Sequence, residues 1–240
     1  MLYMRETFRI PTLIPFLRSV KGQFSLYNQQ EVRVKCPMIR LFLLRHAESE
    51  ANVGHILAGQ RDFPLSSQGK LDAEGLAVSF AGQYQIQIIH CSPLLRAVQT
   101  AAPFVTRCDA PLVLDPRILE QHLGRFSGMT YAQAEADPGY QADRKKRWDW
   151  TPEGGGESYS GISFRVKDFL TSLFVRPETR VLVVTHAVTL RLFRAILEGT
   201  LPAYPESIPG NGELWSCHWD GSPTAVHSLS LGSGPRKHGE

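Results

Sequence analysis

Short apolar runs alternate with amphipathic stretches through most of the 240-residue chain. Runs rich in Ile, Leu and Val predict buried strands at residues 39–44, 86–91, 112–114 and 180–185. The longer stretches predict helices at residues 67–83, 93–105, 130–137, 159–174 and 188–198. Two late apolar runs, 213–219 and 225–231, predict a closing hairpin with its turn at Gly221 and Pro223.

Strands that alternate with helices are typical of βαβ units. The pattern therefore predicts an α/β fold, a three-layer αβα sandwich with a mainly parallel central sheet. One domain is predicted over residues 38–231, and residues 232–240 are predicted to form a flexible tail.

Residues 1–37 lie outside this pattern and carry six Lys and Arg against two acids. They resemble a cleaved transit peptide but contain no small-residue cleavage site. Because Met38 directly precedes the first predicted strand, an overextended start site is an equal alternative. An ordered extra arm is the third.

The composition is that of a globular protein, with 42% hydrophobic and 20% charged residues. It excludes collagen-like, coiled-coil and wholly disordered chains. The net charge of +3 comes from residues 1–37, which sum to +4, whereas the remaining residues sum to −1. Nucleic-acid binding therefore has little support.

The four cysteines, Cys36, Cys91, Cys108 and Cys217, are too widely spaced for a disulfide framework, which predicts a reducing, cytoplasmic compartment. Neither they nor the histidines show metal-ligand spacing, so no metal or organic cofactor is expected. No apolar run reaches the roughly 20 residues of a membrane span, so no membrane association is expected. The assembly state is left open, with a homodimer as one option.

Two predicted strands each lead into a histidine, in Leu44-Arg45-His46 and in Val184-Thr185-His186. Because ligands bind at the carboxyl ends of parallel strands, both imidazoles are expected at the functional edge. A third strand leads to Arg96 in the first turn of the next helix. Helix N-termini favour acids, so an arginine there indicates a nearby anion. Any one of these residues alone is typical of an ordinary loop or surface position.

Six sequence blocks follow one another in the order of a known family. They are R-H-A-E-S-E-A-N at 45–52, G-Q-R-D-F-P-L-S-S-Q-G at 59–69, S-P-L-L-R-A at 92–97 with Thr100, L-E-Q-H-L-G at 119–124 with Gly128, G-G-E-S at 155–158 and T-H-A at 185–187. Together they resemble the histidine phosphatase superfamily, also called phosphoglycerate mutase-like, over residues 38–231. The resemblance implies a phosphoglycerate mutase-like fold.

The resemblance also implies roles for individual residues. His46 would attack phosphorus and form a phosphohistidine. Arg45, Arg96, His186 and Asn52 would bind the phosphoryl oxygens, where the transition state holds its charge.

Glu120 would be the general acid that protonates the leaving oxygen and the base that then activates water. A buried or anion-rich setting favours this role, and the neighbouring Leu119, Leu123 and Phe126 are compatible with partial burial. An exposed loop carboxylate is the alternative.

Four positions are treated separately from the family pattern. Ala47 and Ala187 stand where glycine is frequent, and Ala58 stands where a polar side chain often faces the phosphate. Arg61 is given no catalytic role, because the matching position varies in the family.

Two other segments invite competing interpretations. The glycine run before Glu157 and Ser158 lacks the lysine of a P-loop and the spacing of a serine-hydrolase elbow, so it predicts a turn and the start of a helix. The basic run 144–147, followed by Trp148 and Trp150, could hold a second anionic group of a substrate or stack a base or sugar. A solvated helix face is the favoured reading.

A metal-independent phosphomonoester hydrolase acting on a small phosphorylated substrate is the predicted function. About 30 residues separate the Glu120 loop from the G-G-E-S block, which leaves no room for the longer insertion of the mutases. A phosphoglycerate mutase is therefore the second choice. A non-catalytic phospho-ligand-binding protein is third, because the sequence retains Arg45, His46, Arg96, Glu120 and His186.

Overall fold

A computed structural model describes residues 37–231 of the chain. Within this range one sheet contains the strands β1 (Ile39–Arg45), β2 (Ile88–Cys91), β3 (Leu112–Leu114), β4 (Arg180–Thr185), β5 (Leu214–Trp219) and β6 (His227–Ser228). The strand order is β3-β2-β4-β1-β5-β6. Strands β1 to β4 are parallel, β5 is antiparallel to β1, and β6 is antiparallel to β5.

The α-helices are α1 (Glu50–Val53), α2 (Ser67–Ala81), α3 (Leu95–Cys108), α4 (Tyr131–Glu135), α5 (Tyr159–Leu173) and α6 (Ala187–Leu197). Helices α2 and α3 cover one face of the sheet, where they pack on Phe42 and Leu182. Helices α5 and α6 cover the other face and pack on Leu43 and Val183. Side chains of alternate residues in the central strands thus pack into two cores, one on each face of the sheet. The predicted αβα sandwich with a mainly parallel sheet is confirmed.

The register of β1 and β4 positions the functional edge. Arg45 pairs with Thr185 at the carboxyl ends of these neighbouring parallel strands. His46 and His186 follow directly, so both imidazoles leave the sheet side by side, as the sequence predicts.

Several element boundaries differ from the prediction. Helix α3 begins at Leu95 rather than at residue 93, because Leu94 is the extended N-cap, and it continues past Pro103 to Cys108. Strand β2 begins at Ile88 rather than at residue 86, and the Gln87 side chain before it accepts hydrogen bonds from the backbone that enters β4. Helix α1 was not predicted, since four residues are too short to show a helical period.

The predicted hairpin is formed by β5 and a two-residue β6, shorter than residues 225–231. The interpretations of the N-terminal extension and of the tail concern residues 1–36 and 232–240, which lie outside the described range. Between residues 37 and 231, no helix has the length and hydropathy required to cross a bilayer.

Candidate active site

The connection between β1 and α1 holds the first part of the site. The Ser49 side chain caps α1 and accepts from the Asn52 backbone N–H, while Asn52 Oδ1 accepts from the Ser49 N–H at 3.0 Å. This reciprocal capping box fixes the Asn52 side chain. The methyl group of Ala47 is buried against Leu65 and Ala73. The alanine that replaces glycine here therefore contributes to packing.

Arg96 lies in the first turn of α3, as predicted, and is only 2% exposed. Its guanidinium donates to the carbonyl oxygens of Gly59 at 2.8 Å and Arg61 at 2.9 Å. Arg61 thus contributes to the site through its backbone. The Thr100 hydroxyl donates to the Arg96 carbonyl at 2.7 Å and accepts from the Ala47 N–H at 3.0 Å. Helix α3 and the loop that follows His46 are held together by these contacts.

His46 is 4% exposed, and its Nδ1 lies 2.7 Å from the carbonyl oxygen of Ala47. A carbonyl can only accept, so Nδ1 carries the proton and Nε2 keeps its lone pair. Burial lowers the pKa of His46 well below its usual range, and the positive charges of Arg96 and Arg45 lower it further. His46 is therefore neutral, with an unprotonated Nε2.

His186 is the N-cap of α6, and its ring centroid lies 5.2 Å from that of His46. Its Nε2 contacts the Ser92 hydroxyl at 2.7 Å. Burial lowers the pKa of His186 well below its usual range, and the charge of Arg96 acts in the same direction. The structure thus brings two neutral imidazoles together beside the buried guanidinium of Arg96 and the half-buried guanidinium of Arg45.

The carboxylate of Glu120 lies at the N-terminus of α6. It accepts backbone N–H bonds from Gln121 at 3.0 Å and from Val188 and Thr189, each at 3.3 Å. Gln60 Nε2 donates to the Glu120 carbonyl at 2.9 Å. Glu120 is partly buried, as expected for a general acid, and is not an exposed loop carboxylate.

Glu157 and Ser158, which precede helix α5, have different roles. Ser158 caps α5 by accepting from the Gly161 N–H at 3.2 Å. Glu157 instead accepts two bonds from the guanidinium of Arg165, at 2.8 and 3.0 Å. Arg165 also donates to the Glu120 carbonyl at 3.3 Å, so this ion pair supports the Glu120 loop. No motif or period in the sequence indicated Arg165.

The loop between α6 and β5 completes the site and was not predicted from the sequence. Arg45 donates to the Pro209 carbonyl at 2.5 Å. The Asn211 side chain donates to the His46 carbonyl at 3.2 Å and to Asn52 Oδ1 at 3.1 Å. Since Oδ1 of Asn52 is occupied, its NH₂ group is left as the donor for a ligand. The Asn211-Gly212 dipeptide is a turn signal that could have drawn attention to this loop.

An open cleft joins these groups. It is lined by Arg45, His46, Asn52, Arg96 and Glu120, together with Ala58 and Ala187. His186 is fully buried beside His46 and does not line the cleft surface. Burial lowers the pKa of Arg45 and Arg96, while the charge of Glu120 opposes that effect. Desolvated positive charges of this kind attract an anion strongly.

The basic run differs from a solvated helix face. Residues Arg144–Lys146 form a 3₁₀ turn, and Arg144 and Arg147 line the cleft. Lys145 pairs with Glu206 at 2.9 Å. Within residues 37–231, no group of His, Cys, Asp and Glu side chains could hold a metal ion.

An unprotonated imidazole beside the buried guanidinium of Arg96 and the half-buried guanidinium of Arg45, with the Glu120 carboxylate in the same cleft, defines a phosphoryl-transfer enzyme of the histidine type. The family model "Histidine phosphatase superfamily (branch 1)" matches residues 41–231. This chain belongs to the histidine phosphatase superfamily, in which phosphoryl transfer through a phosphohistidine is general. The predicted fold class and phosphatase class are confirmed.

Similar proteins carry both phosphatase and mutase names. The glucosyl-3-phosphoglycerate phosphatase of Mycobacterium tuberculosis is 32% identical over 195 residues, which cover 75% of this chain and 86% of that protein. A probable phosphoglycerate mutase of Proteus mirabilis is 34% identical over 175 residues, 70% and 79% of the two chains. The solved structure of mycobacterial glucosyl-3-phosphoglycerate phosphatase has a TM-score of 0.68 at 29% identity and covers 82% of this chain and all of that one.

Proposed function

We propose that this protein hydrolyses small phosphate monoesters, with His46 as the nucleophile and Glu120 as the general acid and base. The phosphoryl oxygens bind to Arg45, Arg96, His186 and Asn52. The observation that carries this proposal is the hydrogen bond from His46 Nδ1 to the Ala47 carbonyl, because it leaves Nε2 unprotonated near the positive charges of Arg96 and Arg45.

The reaction has two displacements. In the first, His46 Nε2 forms a bond to phosphorus, the ester P–O bond breaks, and the leaving oxygen takes a proton from Glu120. In the second, Glu120 removes a proton from water, the water oxygen attacks phosphorus, and the N–P bond breaks to release inorganic phosphate. Arg45 and Arg96 stabilise the charge on the equatorial oxygens in both steps.

The reactive groups all belong to one chain, so the proposal needs no second subunit. We assign the catalytic domain to residues 38–231, which contain every residue named above; residues 1–37 are an extension and residues 232–240 a tail. The described cysteines Cys91, Cys108 and Cys217 form no disulfide, which supports a cytoplasmic location.

The test is to trap the intermediate. The protein is incubated with p-nitrophenyl phosphate and quenched, and phosphate that is labile in acid and stable in base is sought on His46. His46→Ala should abolish both the adduct and turnover, whereas His227→Ala, on the exposed strand β6, should change neither. Turnover that survives in His46→Ala would disprove the mechanism.

The same protein separates the three candidate functions. A phosphatase releases inorganic phosphate from phosphoglycerates, a mutase interconverts the 2- and 3-phospho isomers faster than it hydrolyses them, and a binding protein does neither. The second outcome is tested because one similar protein is named as a probable phosphoglycerate mutase. Phosphate release without isomerisation is the expected result.

A further inference from the structure

Arg191 is a buried arginine that the phosphoryl site does not use. It lies on α6, is 1% exposed, and lines the cleft. Its Nε donates to the Pro205 carbonyl at 2.6 Å. Both Nη atoms are buried without a hydrogen-bond partner among residues 37–231. Such orphaned charged donors are costly, which points to a ligand that satisfies them.

One backbone carbonyl and two aromatic rings lie beside the guanidinium of Arg191. Its central carbon lies 5.3 Å from the ring centroid of Tyr204 and 5.9 Å from that of Tyr159. Since Nε is anchored to a carbonyl and the two rings, whose centroids are 5.1 Å apart, pack against the same side of the group, the free Nη edge has a preferred direction. A guanidinium edge with a preferred direction suits the two oxygens of a carboxylate or phosphoryl group.

Two more arginines from the basic run stand at the same part of the cleft. Arg147 is 6% exposed, donates to the Gln141 carbonyl at 2.7 Å, and lies over the ring of Tyr140. Arg144 is exposed and forms no ion pair within the described range. Arg144 and Arg191 also line a second cavity beside the cleft.

The charge of this region is positive. The carboxylate that lines the second cavity, Glu206, is already paired with Lys145 at 2.9 Å. Asp143 lies 3.8 Å from Lys146. Arg144, Arg147 and Arg191 therefore present uncompensated positive charge, which we call the distal arginine site.

We propose that the distal arginine site binds a second anionic group of the substrate, a carboxylate or a second phosphoryl group, while the reacting phosphoryl group is at His46. This inference rests on the proposed function. Arg191 is five residues beyond His186 along α6, which is about 7.5 Å of helix. The preferred substrate is thus a small phosphomonoester whose second anion lies several bonds from phosphorus, and Arg191 determines that specificity.

The experiment compares esters that differ in one anionic group. 3-Phosphoglycerate is paired with glycerol 3-phosphate, in which a hydroxymethyl group replaces the carboxylate, and fructose 1,6-bisphosphate is paired with fructose 6-phosphate. We expect kcat/KM to favour the anionic member of one pair by about tenfold to a hundredfold, the scale of charged hydrogen bonds. The pair that shows the preference identifies the anion as carboxylate or phosphoryl.

Arg191→Met should reduce that preference towards unity, mainly through KM, and Arg191→Lys should restore part of it. Arg144→Gln, at an exposed position, tests the site independently if Arg191→Met fails to fold. The matched control is Lys146→Gln, in the same turn but outside the cleft, which should keep the wild-type ratio. Equal losses on both members of a pair, or a wild-type enzyme with no preference in either pair, would overturn the proposal.

Binding can also be followed without turnover. Each ester is added during thermal unfolding of the His46→Ala variant, and the anionic member should raise the midpoint more than its neutral partner. That difference should disappear in the double variant that carries both His46→Ala and Arg191→Met. This readout separates a failure of the distal site from a failure of the phosphatase proposal, which is measured by release of phosphate from p-nitrophenyl phosphate.

Discussion

The hydroxyl of Ser92 lies 2.7 Å from Nε2 of His186, in a contact that joins the end of β2 to the start of α6 and excludes solvent. The Leu94 N–H donates to the same hydroxyl at 3.4 Å. If Ser92 donates its proton to Nε2, the Ser92 hydroxyl both donates to His186 and accepts from Leu94. The proton of neutral His186 then resides on Nδ1, which has no partner among residues 37–231 and is free to donate to a phosphoryl oxygen.

Ser92→Ala should therefore lower kcat by about tenfold, the value of one hydrogen bond that fixes the tautomer and orientation of an imidazole. The measurement is steady-state hydrolysis of p-nitrophenyl phosphate, with thermal unfolding to check that the fold is intact. Ser222→Ala, at an exposed turn, is the control and should behave as wild type. An unchanged kcat in Ser92→Ala would show that Ser92 does not orient His186.

Asn211 connects the late loop to the phosphoryl site, and its substitutions should separate positioning from charge. Asn211→Ala removes the bonds to the His46 carbonyl and to Asn52, and we expect a loss in kcat/KM of about threefold to tenfold. Asn211→Asp should lose more, because a carboxylate cannot donate to a carbonyl and repels the substrate dianion. Since the residue is exposed, unfolding free energies should stay within about 0.5 kcal/mol of wild type.

The inhibition constant of inorganic phosphate checks this assignment. It should rise more in Asn211→Asp than in Asn211→Ala, and the difference should shrink as salt screens the added charge. Equal constants in the two variants would mean that the Asn211 side chain is too far from the bound phosphate to influence it.

Two glycines of α2 offer a matched pair for the packing of this helix. A Cβ atom on Gly69 would lie 2.0 Å from the backbone oxygen of Glu48, two residues after His46, whereas one on Gly75 would meet nothing within 4 Å. Gly69→Ala should destabilise the protein by about 2–4 kcal/mol and lower activity, because the peptide of Glu48 must move. Gly75→Ala should stabilise it by up to about 1 kcal/mol through helix propensity.

Urea unfolding of both variants measures these effects. The informative comparison is the sign of the two changes, since the substitutions are chemically identical and lie in one helix. A stable, fully active Gly69→Ala protein would contradict the close approach of α2 to the His46 loop.

His90 should make the fold sensitive to acid. It is fully buried against Phe169, and burial lowers its pKa to about 4. Between pH 6.5 and about 4 the unfolded chain binds a proton here that the folded protein does not, so stability falls as the pH falls. The loss attributable to His90 is about 3 kcal/mol over that window and is absent above pH 7.

His90→Met removes this one titration and leaves His46 and His186 in place. Urea midpoints of the variant and of wild type, measured at pH 7.5, 6 and 5, should therefore diverge in favour of the variant as the pH falls. A constant difference across the series would show that folding does not lower the pKa of His90, because both states would then bind the same number of protons at this residue.

The apolar pattern by itself determined the parallel strands, and with them the meeting of His46, His186 and Arg96. This follows because the carboxyl ends of parallel strands share one edge, so residues that directly follow those strands lie close together whatever their separation in sequence. The order of the six sequence blocks then indicated the family. Helix α1 was not predicted, because its four residues are too few to show the helical period of apolar positions.

Only the tertiary structure decided which other residues reach that edge. Asn211 contacts His46 across 165 positions, and Arg165 supports Glu120 across 45. Burial distinguishes Arg147 and Arg191 from the neighbouring solvated lysines. Sequence periods report neighbours two, three or four residues apart, whereas contacts of this range depend on how separately formed elements pack against one another.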